Sequence, residues 1–280
     1  MGAPRGQHFL VDKNIAEKIV SAAEVKSTDY VLEIGPGRGI LTERLIRLAK
    51  KLFTIEVDTF LCSVLYEKFK DDAVLIEKKT VSTEKLEEKF NTSSKIVIIN
   101  ADATKFNYDI FCKYQPLKIV SNLPYYITGK MLHLLFTFPW SSAVLMLQKE
   151  VGERLCAIAG DRQYGIPTVA VRIYSEVRII RYVPRTVFIP QPKVDSVVLK
   201  LIRRDKKLIE EDGEFIKFVK LSFLHRRKML INVLSEKFNI KKEKMRQIFT
   251  SLSLPYDIRP ERLSVEKFIS LYCEIRRLLL

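Results

Sequence analysis

Cysteine and histidine are scarce in this sequence, and they are scattered. The 280 residues include three histidines and four cysteines, at Cys62, Cys112, Cys156 and Cys273. The cysteines form no C-x-x-C pair and have no histidines nearby in sequence, so a disulfide framework or a zinc site is not expected. Unpaired cysteines suit a reducing compartment. We therefore expect a protein without a bound metal.

Long hydrophobic runs are also missing. No apolar stretch approaches the length of a membrane span, and the first residues, MGAPRGQHFLVDKN, lack the apolar core of a signal peptide. Gly6 stands where a myristoylation signal has Ser or Thr. We expect no membrane association and a cytoplasmic protein. An organellar form that has lost its targeting peptide stays open.

Acidic residues are outnumbered by basic ones. There are 48 Lys and Arg against 33 Asp and Glu, which gives a net charge of +15 at pH 7. With 47% hydrophobic residues the chain is nevertheless typical of a globular protein. The positive excess favours a polyanionic partner, either nucleic acid or an anionic membrane face. A basic protein with no such partner is the alternative.

Buried strands alternate with helical patterns through the first two thirds of the chain. A helix is predicted over residues 12–24 and a second up to about Lys51. The predicted strands are Tyr30–Ile34, Phe53–Val57, Ile96–Asn100, Leu117–Ser121 and Ala143–Leu147. This alternation predicts a parallel sheet that is covered on both faces. Two later runs, Val177–Val183 and Ser196–Ile202, would complete the sheet with an antiparallel edge pair.

The remainder of the chain has a helical pattern. Residues 203–207 (RRDKK) are predicted to form a polar linker, and from residue 208 the apolar spacing is helical throughout. The expected domains are therefore 1–204, an α/β domain, and 205–280, a small all-helical one. Residues 77–95, rich in Lys, Glu, Thr and Ser, are predicted to be a solvated insertion before a strand.

The predicted strand ends carry the features of a nucleotide site. Ligands of a parallel sheet bind beyond the carboxyl ends of its strands. The first strand runs into the loop 35–39 (GPGRG), and Glu56 follows Gly35 by 21 residues, where a carboxylate can accept hydrogen bonds from ribose hydroxyls. Asp102 could accept one from an adenine amino group. These features predict an adenosine-containing cofactor. They do not separate S-adenosylmethionine from a dinucleotide, although the G-x-G-x-G spacing and the lack of a second α/β half favour the former.

The fourth predicted strand leads directly into residues 122–126 (NLPYY). An adenine amino nitrogen is a poor nucleophile because its lone pair is delocalised into the ring. The Asn122 side-chain oxygen and the Leu123 carbonyl could accept hydrogen bonds from its two hydrogens, Pro124 would stiffen the turn, and Tyr125 could stack on the base. Such orientation can supply much of a rate enhancement, once the base has been extruded from its helix. A loop in which Asn122 only caps the next helix is the alternative.

Residues 226–246 are strongly basic. They hold eight Lys or Arg and two Glu. We expect a helical segment that contacts phosphates; the alternative is a solvated face that only aids solubility.

Several stretches together resemble one known family. They are GQHFLVD (6–12), VLEIGPGRGILT (31–42), EVD (56–58), DA (102–103), NLPYYIT (122–128), FIPQPKVDS (188–196) and RRK (226–228). The chain resembles the ribosomal RNA adenine dimethyltransferases over nearly its whole length, in particular the small-subunit enzymes related to the kasugamycin-sensitivity methyltransferase. The first and the NLPYY stretches are specific to this family and its close relatives, whereas the glycine-rich stretch is not.

The resemblance implies a Rossmann-like fold that binds S-adenosylmethionine, followed by a small helical domain. The residues that it implies for the cofactor are His8, Leu10, Gly35, Gly37, Glu56, Val57, Asp102, Ala103 and Asn122. Those that it implies for catalysis are Asn122, Leu123, Pro124, Tyr125 and Phe188, with Tyr125 and Phe188 on either side of the target base. Arg226, Arg227 and Lys228 would contact RNA. The implied reaction dimethylates two adjacent adenosines in the last hairpin loop of small-subunit rRNA; the partner is then the small ribosomal subunit, and we expect a monomer.

The resemblance leaves other functions to be weighed. The macrolide-resistance methyltransferases of the large subunit share much of the pattern, but the NLPYYIT and FIPQPKVDS stretches and the helical tail favour the small-subunit branch. A non-catalytic RNA-binding assembly or transcription factor is disfavoured by the intact Glu56, Asp102 and Asn122. A DNA adenine methyltransferase would have a large target-recognition domain. The chain also has about twenty more residues between Glu56 and Asp102 than the family usually has.

Overall fold

The computed structural model describes residues 7–77 and 83–279. Its strands are β1 (Phe9–Leu10), β2 (Tyr30–Ile34), β3 (Lys51–Glu56), β4 (Ala73–Ile76), β5 (Ile96–Asn100), β6 (Leu117–Asn122), β7 (Ser142–Gln148), β8 (Ser175–Val183), β9 (Phe188–Ile189) and β10 (Ser196–Arg203). Its helices are α1 (Lys13–Ala23), α2 (Thr42–Leu48), α3 (Thr59–Phe69), α4 (Thr83–Phe90), α5 (Thr128–Leu134), α6 (Lys149–Cys156), α7 (Ile166–Tyr174), α8 (Asp212–Ser222), α9 (Leu230–Phe238), α10 (Lys242–Ser251) and α11 (Val265–Leu279).

Eight strands form one mixed sheet in the order β4-β5-β3-β2-β6-β7-β10-β8. Strands β2 to β7 pair in parallel wherever they are neighbours. Strand β10 runs antiparallel to β7, with Ser196 opposite Gln148, and β8 lies outside β10 at the edge. The predicted α/β class with a parallel sheet is confirmed.

The central strands are apolar without alternation because both of their faces are covered. All five residues of β5 are buried, as are all but the first residue of β2 and of β3, as expected for parallel strands. Helix α1 covers one face with a buried stripe that includes Ile15, Ile19 and Ala23. The Asp12 carboxylate caps this helix by accepting from the Asn14 and Ile15 amides.

The predicted solvated insertion at 77–95 is partly wrong. Residues 78–82 lie outside the described residues, but α4 covers residues 83–90, and strand β4 just before it was not predicted at all. The Phe90 side chain is fully buried, with its ring centroid 4.8 Å from that of Phe53. One buried aromatic in a Lys/Glu-rich stretch leaves little periodic signal. The preceding helix prediction also ran too far, since α2 ends at Leu48 and Lys51 opens β3.

The chain divides into two compact units. The first comprises the residues up to Gly152 together with Arg178–Arg203, and the second comprises Glu153–Val177 and Arg204–Leu280. The division after Arg203 falls beside the predicted boundary, but residues 153–177 differ from the prediction because they group with the C-terminal helices. Their buried side chains, such as Tyr164 and Ile173, belong to the same apolar cluster as Phe215 and Phe268.

The basic stretch 226–246 is not one helical segment as predicted. Arg226, Arg227 and Lys228 lie in the turn between α8 and α9, and a further break separates α9 from α10. The turn closes with the Lys228 amide donating to the His225 carbonyl over 2.8 Å. All three basic side chains are exposed.

Candidate cofactor and adenine site

Two adjoining cavities lie at the carboxyl ends of β2, β3 and β6. The first is lined by Gln7, His8, Phe9, Leu10, Glu33, Gly35, Pro36, Gly37, Arg38, Ile40, Leu41, Glu56, Asn122, Leu123, Pro124 and Tyr125. The second is lined by Gln7, Ile34, Gly35, Ile55, Glu56, Val57, Ala101, Asp102, Ala103, Thr104, Lys105, Pro124, Tyr126, Ile127 and Lys130. Gln7, Gly35, Glu56 and Pro124 line both. The cavities thus bring together the residues predicted for the cofactor and, apart from Phe188, those predicted for catalysis.

The glycine loop is held between two other segments of the site. Gly35 and Gly37 have φ angles of 67° and 56°, in the left-handed region that favours glycine. A Cβ on Gly35 would lie 3.2 Å from the Pro124 ring, and one on Gly37 would lie 3.1 Å from the Phe9 ring. The absence of side chains therefore lets the loop approach both the N-terminal strand and the 122–126 segment, and it leaves main chain facing the cavity.

Glu56 is fixed at the end of β3. Its Oε2 accepts from the Gly37 amide over 3.3 Å, and its Oε1 accepts from the Asp58 amide over 3.0 Å. The residue is only 3% exposed. Burial raises the pKa of this carboxyl, while the two amide hydrogen bonds oppose the rise. Each oxygen has further lone pairs, so the carboxylate can still accept hydrogen bonds from a ligand in the cavity.

Asp102 is held by its neighbour in a tight turn. Its Oδ1 accepts from the Thr104 amide over 2.9 Å and from the Thr104 hydroxyl over 2.8 Å. Partial burial favours the neutral acid, but these hydrogen bonds and the charges of Lys105 and Lys130 outweigh it and lower the pKa of Asp102. The second cavity therefore contains an ionised acceptor at neutral pH.

Asn122 and Leu123 are anchored at the end of β6. Asn122 turns its Nδ2 toward the His8 carbonyl, at 3.5 Å, which leaves Oδ1 able to accept. The Leu123 amide donates to the Met146 carbonyl over 3.2 Å, and its side chain is 1% exposed, so its backbone position is fixed. The following short 3-10 helix, Tyr125–Ile127, has Pro124 at its N-cap and no side-chain cap. Asn122 therefore does not cap this helix, which was the alternative interpretation of the sequence.

Tyr125 reaches the cavity, but Phe188 does not. The half-buried Tyr125 ring lies 5.7 Å from the His8 ring, and its hydroxyl shares a 2.7 Å hydrogen bond with Ser196. Phe188 is 2% exposed and packs in the apolar core of the first unit. It pairs with Leu10 in the small sheet of β1 and β9. Phe188 thus supports the strand that carries Leu10 to the cavity, and its place beside the target base stays a prediction.

The sequence prediction missed several cavity residues. Glu33 lies in β2 and is 1% exposed, and its carboxylate accepts from the Thr42 hydroxyl over 2.7 Å. A single acid within an apolar strand was the signal that could have found it. The Arg38 guanidinium carbon lies 5.1 Å from the Phe9 ring centroid, and Gln7 stands one residue before His8.

Glu33 should make stability depend on pH. Burial raises its pKa from the ordinary 4.5 to about 8, with the Thr42 hydrogen bond opposing the rise and the charge of Glu56 adding to it. An acid that is weaker in the folded state costs stability as it ionises. The wild type should therefore lose unfolding free energy relative to Glu33→Gln as the pH rises from about 4.5 to about 8, and not beyond. Thermal unfolding of both proteins between pH 5 and 9 measures this difference; parallel curves would contradict the assignment.

The cavities fit an adenosine cofactor. Gln7 lines both cavities, and its Oε1 atom is buried without a hydrogen-bond partner among the described residues. A buried acceptor of this kind calls for a donor. Cβ atoms on Gly35 and Gly37 would press on the Pro124 and Phe9 rings, which line the first cavity. Within the described ranges, no group of three His, Cys, Asp or Glu could hold a metal ion, and no helix is long and apolar enough to cross a membrane.

The sheet carries a glycine loop after β2, a buried acid at the end of β3, and the Asn122 amide and Leu123 carbonyl at the end of β6. These features define a Rossmann-like, S-adenosylmethionine-dependent methyltransferase. The family model of ribosomal RNA adenine dimethylases matches residues 4–276. The chain belongs to this family.

Individual relatives agree with this assignment. The ribosomal RNA small subunit methyltransferase A of Bacillus mycoides (strain KBAB4) is 37% identical over 278 residues, which cover 95% of this chain and 88% of the relative. The crystal structure of a dimethyladenosine transferase from Plasmodium falciparum matches with a TM-score of 0.76 and 28% identity, over 96% of this chain and 98% of that one. The 23S rRNA methyltransferase ErmE shares the fold, with a TM-score of 0.71 and 24% identity over 96% and 99% of the chains.

Proposed function

We propose that this enzyme dimethylates the N6 amino groups of two adjacent adenosines in the 3′-terminal hairpin loop of small-subunit rRNA. The substrate would be the assembling small ribosomal subunit, and the enzyme would act on it as a monomer in the cytoplasm. The relative named a small subunit methyltransferase covers 95% of the chain, which supports the choice of subunit. The observation that carries the proposal is that Asn122 and Leu123 line the same cavity as the glycine loop, against which Pro124 packs.

The site's own residues explain how an amino group would be presented. When bound, S-adenosylmethionine supplies a methyl group that its sulfonium already activates. Glu56 would accept from ribose hydroxyls and Asp102 from the adenine amino group of the cofactor. For the first transfer, the Asn122 Oδ1 and the Leu123 carbonyl would accept hydrogen bonds from the two N–H groups of the target adenine and so direct the nitrogen lone pair at the methyl group. For the second transfer one N–H remains, and one of the two oxygens would hold it. Each transfer would release one amino proton to water. Tyr125 would stack on the target base. These groups orient the reactants and do not need to act as strong bases.

Transfer of labelled methyl groups to three acceptors tests the proposal. Purified small subunits, large subunits and duplex DNA, each lacking the modification, are incubated with the enzyme and labelled S-adenosylmethionine. We expect label in the small subunits, recovered as two N6,N6-dimethyladenosines per subunit by mass spectrometry of the digested rRNA. Preferential labelling of the large subunit or of DNA would refute the proposed substrate.

The basic turn of the helical unit is proposed to contact rRNA. Its three cations are not equivalent. Arg226 donates to the Arg162 carbonyl over 2.7 Å, and its Nε lies 3.9 Å from the Glu261 carboxylate, so it has a structural role within its own unit. Arg227 and Lys228 are exposed, and within the described residues neither has an ion-pair partner. These two side chains are the better candidates for phosphate contacts.

Neutralising this pair should weaken subunit binding in a salt-dependent way. With Arg227→Gln and Lys228→Gln combined, the slope of log affinity against log salt should fall in magnitude by about 1.4–1.8, since each phosphate contact contributes about 0.7–0.9. Affinity for S-adenosylmethionine should stay unchanged. The control is Lys217→Gln with Lys220→Gln, two exposed lysines of α8. An unaltered slope in the test variant would leave the turn as a solvated surface.

A further inference from the structure

Three cations and a tyrosine lie together on the first unit, near the ends of β7 and of the edge strand β8. They are Lys149, at the start of α6, Tyr182 in β8, and Arg185 and Lys193 between β8 and β10. We call these four residues the edge cluster. All four side chains are exposed, and Tyr182 is 50% exposed. The reaction geometry described above uses none of them.

Hydrogen bonds that involve main-chain atoms fix the three cationic residues of the edge cluster beside Asp195. The Asp195 carbonyl accepts from the Lys149 amide over 2.9 Å, and the Asp195 carboxylate accepts from the Arg185 amide over 3.0 Å. The Arg185 guanidinium in turn donates to the Lys193 carbonyl over 3.1 Å. The Lys149 ammonium lies 5.4 Å from the Tyr182 ring centroid. Main-chain atoms thus set the positions of Lys149 and Lys193, and their charged ends are not needed to hold the fold.

The charges of the edge cluster are not neutralised nearby. In the part of the chain that the structure describes, no carboxylate forms an ion pair with Lys149, Arg185 or Lys193. Asp195 is the adjacent acid, and Glu150 follows Lys149 in the chain. Three cations beside two acids still leave net positive charge around an exposed aromatic ring. This combination of cations and a ring is the one that binds phosphates and stacks on bases.

The edge cluster adjoins the acceptor end of the site. Ser196, which shares a hydrogen bond with Tyr125, directly follows Asp195. It also lies opposite Gln148, whose next residue is Lys149. A nucleotide whose base reached Tyr125 would therefore have its neighbours along the strand close to these cations.

We propose that the edge cluster binds the phosphodiester backbone of the rRNA strand that flanks the target adenosines. This inference rests on the proposed function, because it needs an RNA substrate at Tyr125. Exposed Tyr182 within the cluster favours single-stranded RNA over an acidic protein surface, since a ring can stack on any base. The edge cluster would then hold the strand while Asn122 and Leu123 orient one amino group.

Binding at several salt concentrations tests the edge cluster. The test variant combines Lys149→Gln and Lys193→Gln, which remove two charges and keep every main-chain contact. The matched control combines Lys26→Gln and Lys70→Gln, two exposed lysines outside both cavities. Each protein is titrated with unmethylated small subunits and with a naked RNA hairpin of the target sequence. Affinity for S-adenosylmethionine and thermal unfolding are measured alongside.

We expect the test variant to bind both RNAs on the order of tenfold more weakly at 0.1 M salt, with a slope lower by about 1.4 for two contacts to a single strand. The control and the cofactor affinity should match the wild type. Salt slopes equal to those of the wild type would overturn the inference. A loss of affinity for intact subunits but not for the naked hairpin would also overturn it, because the contact would then be to a ribosomal protein. A third outcome is that the wild type fails to methylate small subunits while the test variant still has a lower salt slope for the RNA hairpin than the wild type. In that case the proposed substrate is wrong, and the edge cluster remains an RNA-binding surface.

Discussion

Asn122→Ala should lose methyl transfer by on the order of 100-fold or more, because misplacing a reacting group by about 1 Å already costs that much. The Asn122 Oδ1 is the side-chain acceptor at the end of β6, and alanine leaves one of the two amino hydrogens unbound. Single-turnover transfer to small subunits measures the loss. Affinity for S-adenosylmethionine should change only a few-fold, since the ribose and adenine acceptors, Glu56 and Asp102, stay in place.

Two further variants separate orientation from structural damage. Asn122→Asp keeps an acceptor at the same position but loses the donor that faces the His8 carbonyl, at 3.5 Å, so we expect it to recover part of the rate. Asn91→Ala makes the same change at an exposed residue outside both cavities and should transfer methyl groups at the wild-type rate. Near wild-type transfer by Asn122→Ala would exclude the proposed orientation of the amino group.

The order of residues in the sequence predicted which side chains lie together at the cavities. Glu56 and Asn122 each end a buried strand, and parallel strands end at the same edge of a sheet. Knowing which residues ended which strand was therefore enough to bring these side chains together. Gly35 and Gly37 were recognisable because their backbone conformations exclude most side chains.

Long-range packing was not predictable in the same way. The burial of Phe188 depends on β9 pairing with β1, far away in sequence, and nothing near Phe188 specifies that partner. The same holds for residues 153–177, which join the helical core through contacts with residues beyond 204. Phe90 is a single apolar residue on a charged helix, so periodicity could not show that it packs against Phe53. In each case the sequence gives the apolar residue but not the surface that covers it.

Glu33 and Glu56 lower the free energy of unfolding of the ligand-free protein at neutral pH. Both carboxyls are almost fully buried, and burial raises the pKa of each. Two buried acids that line one cavity oppose folding at neutral pH. Their position toward the carboxyl ends of β2 and β3 agrees with a ligand that carries donors or positive charge, such as S-adenosylmethionine.

Glu56→Ala should weaken cofactor binding, because the carboxylate at the end of β3 lines both cavities. Losing a charged acceptor for ribose hydroxyls should cost about 1.5–3 kcal/mol, which is roughly 10- to 150-fold in affinity. Calorimetric titration with S-adenosylmethionine measures this directly. Thermal unfolding gives an independent readout, because ligand at 100 times the wild-type Kd adds about 2.7 kcal/mol to the wild type but only about 0.4 kcal/mol to a variant with 100-fold weaker binding. Glu67→Ala, on the exposed side of α3, is the matched control. Unchanged affinity in Glu56→Ala would remove this carboxylate from the cofactor site, and the orphaned Gln7 Oε1 would become the leading ribose acceptor.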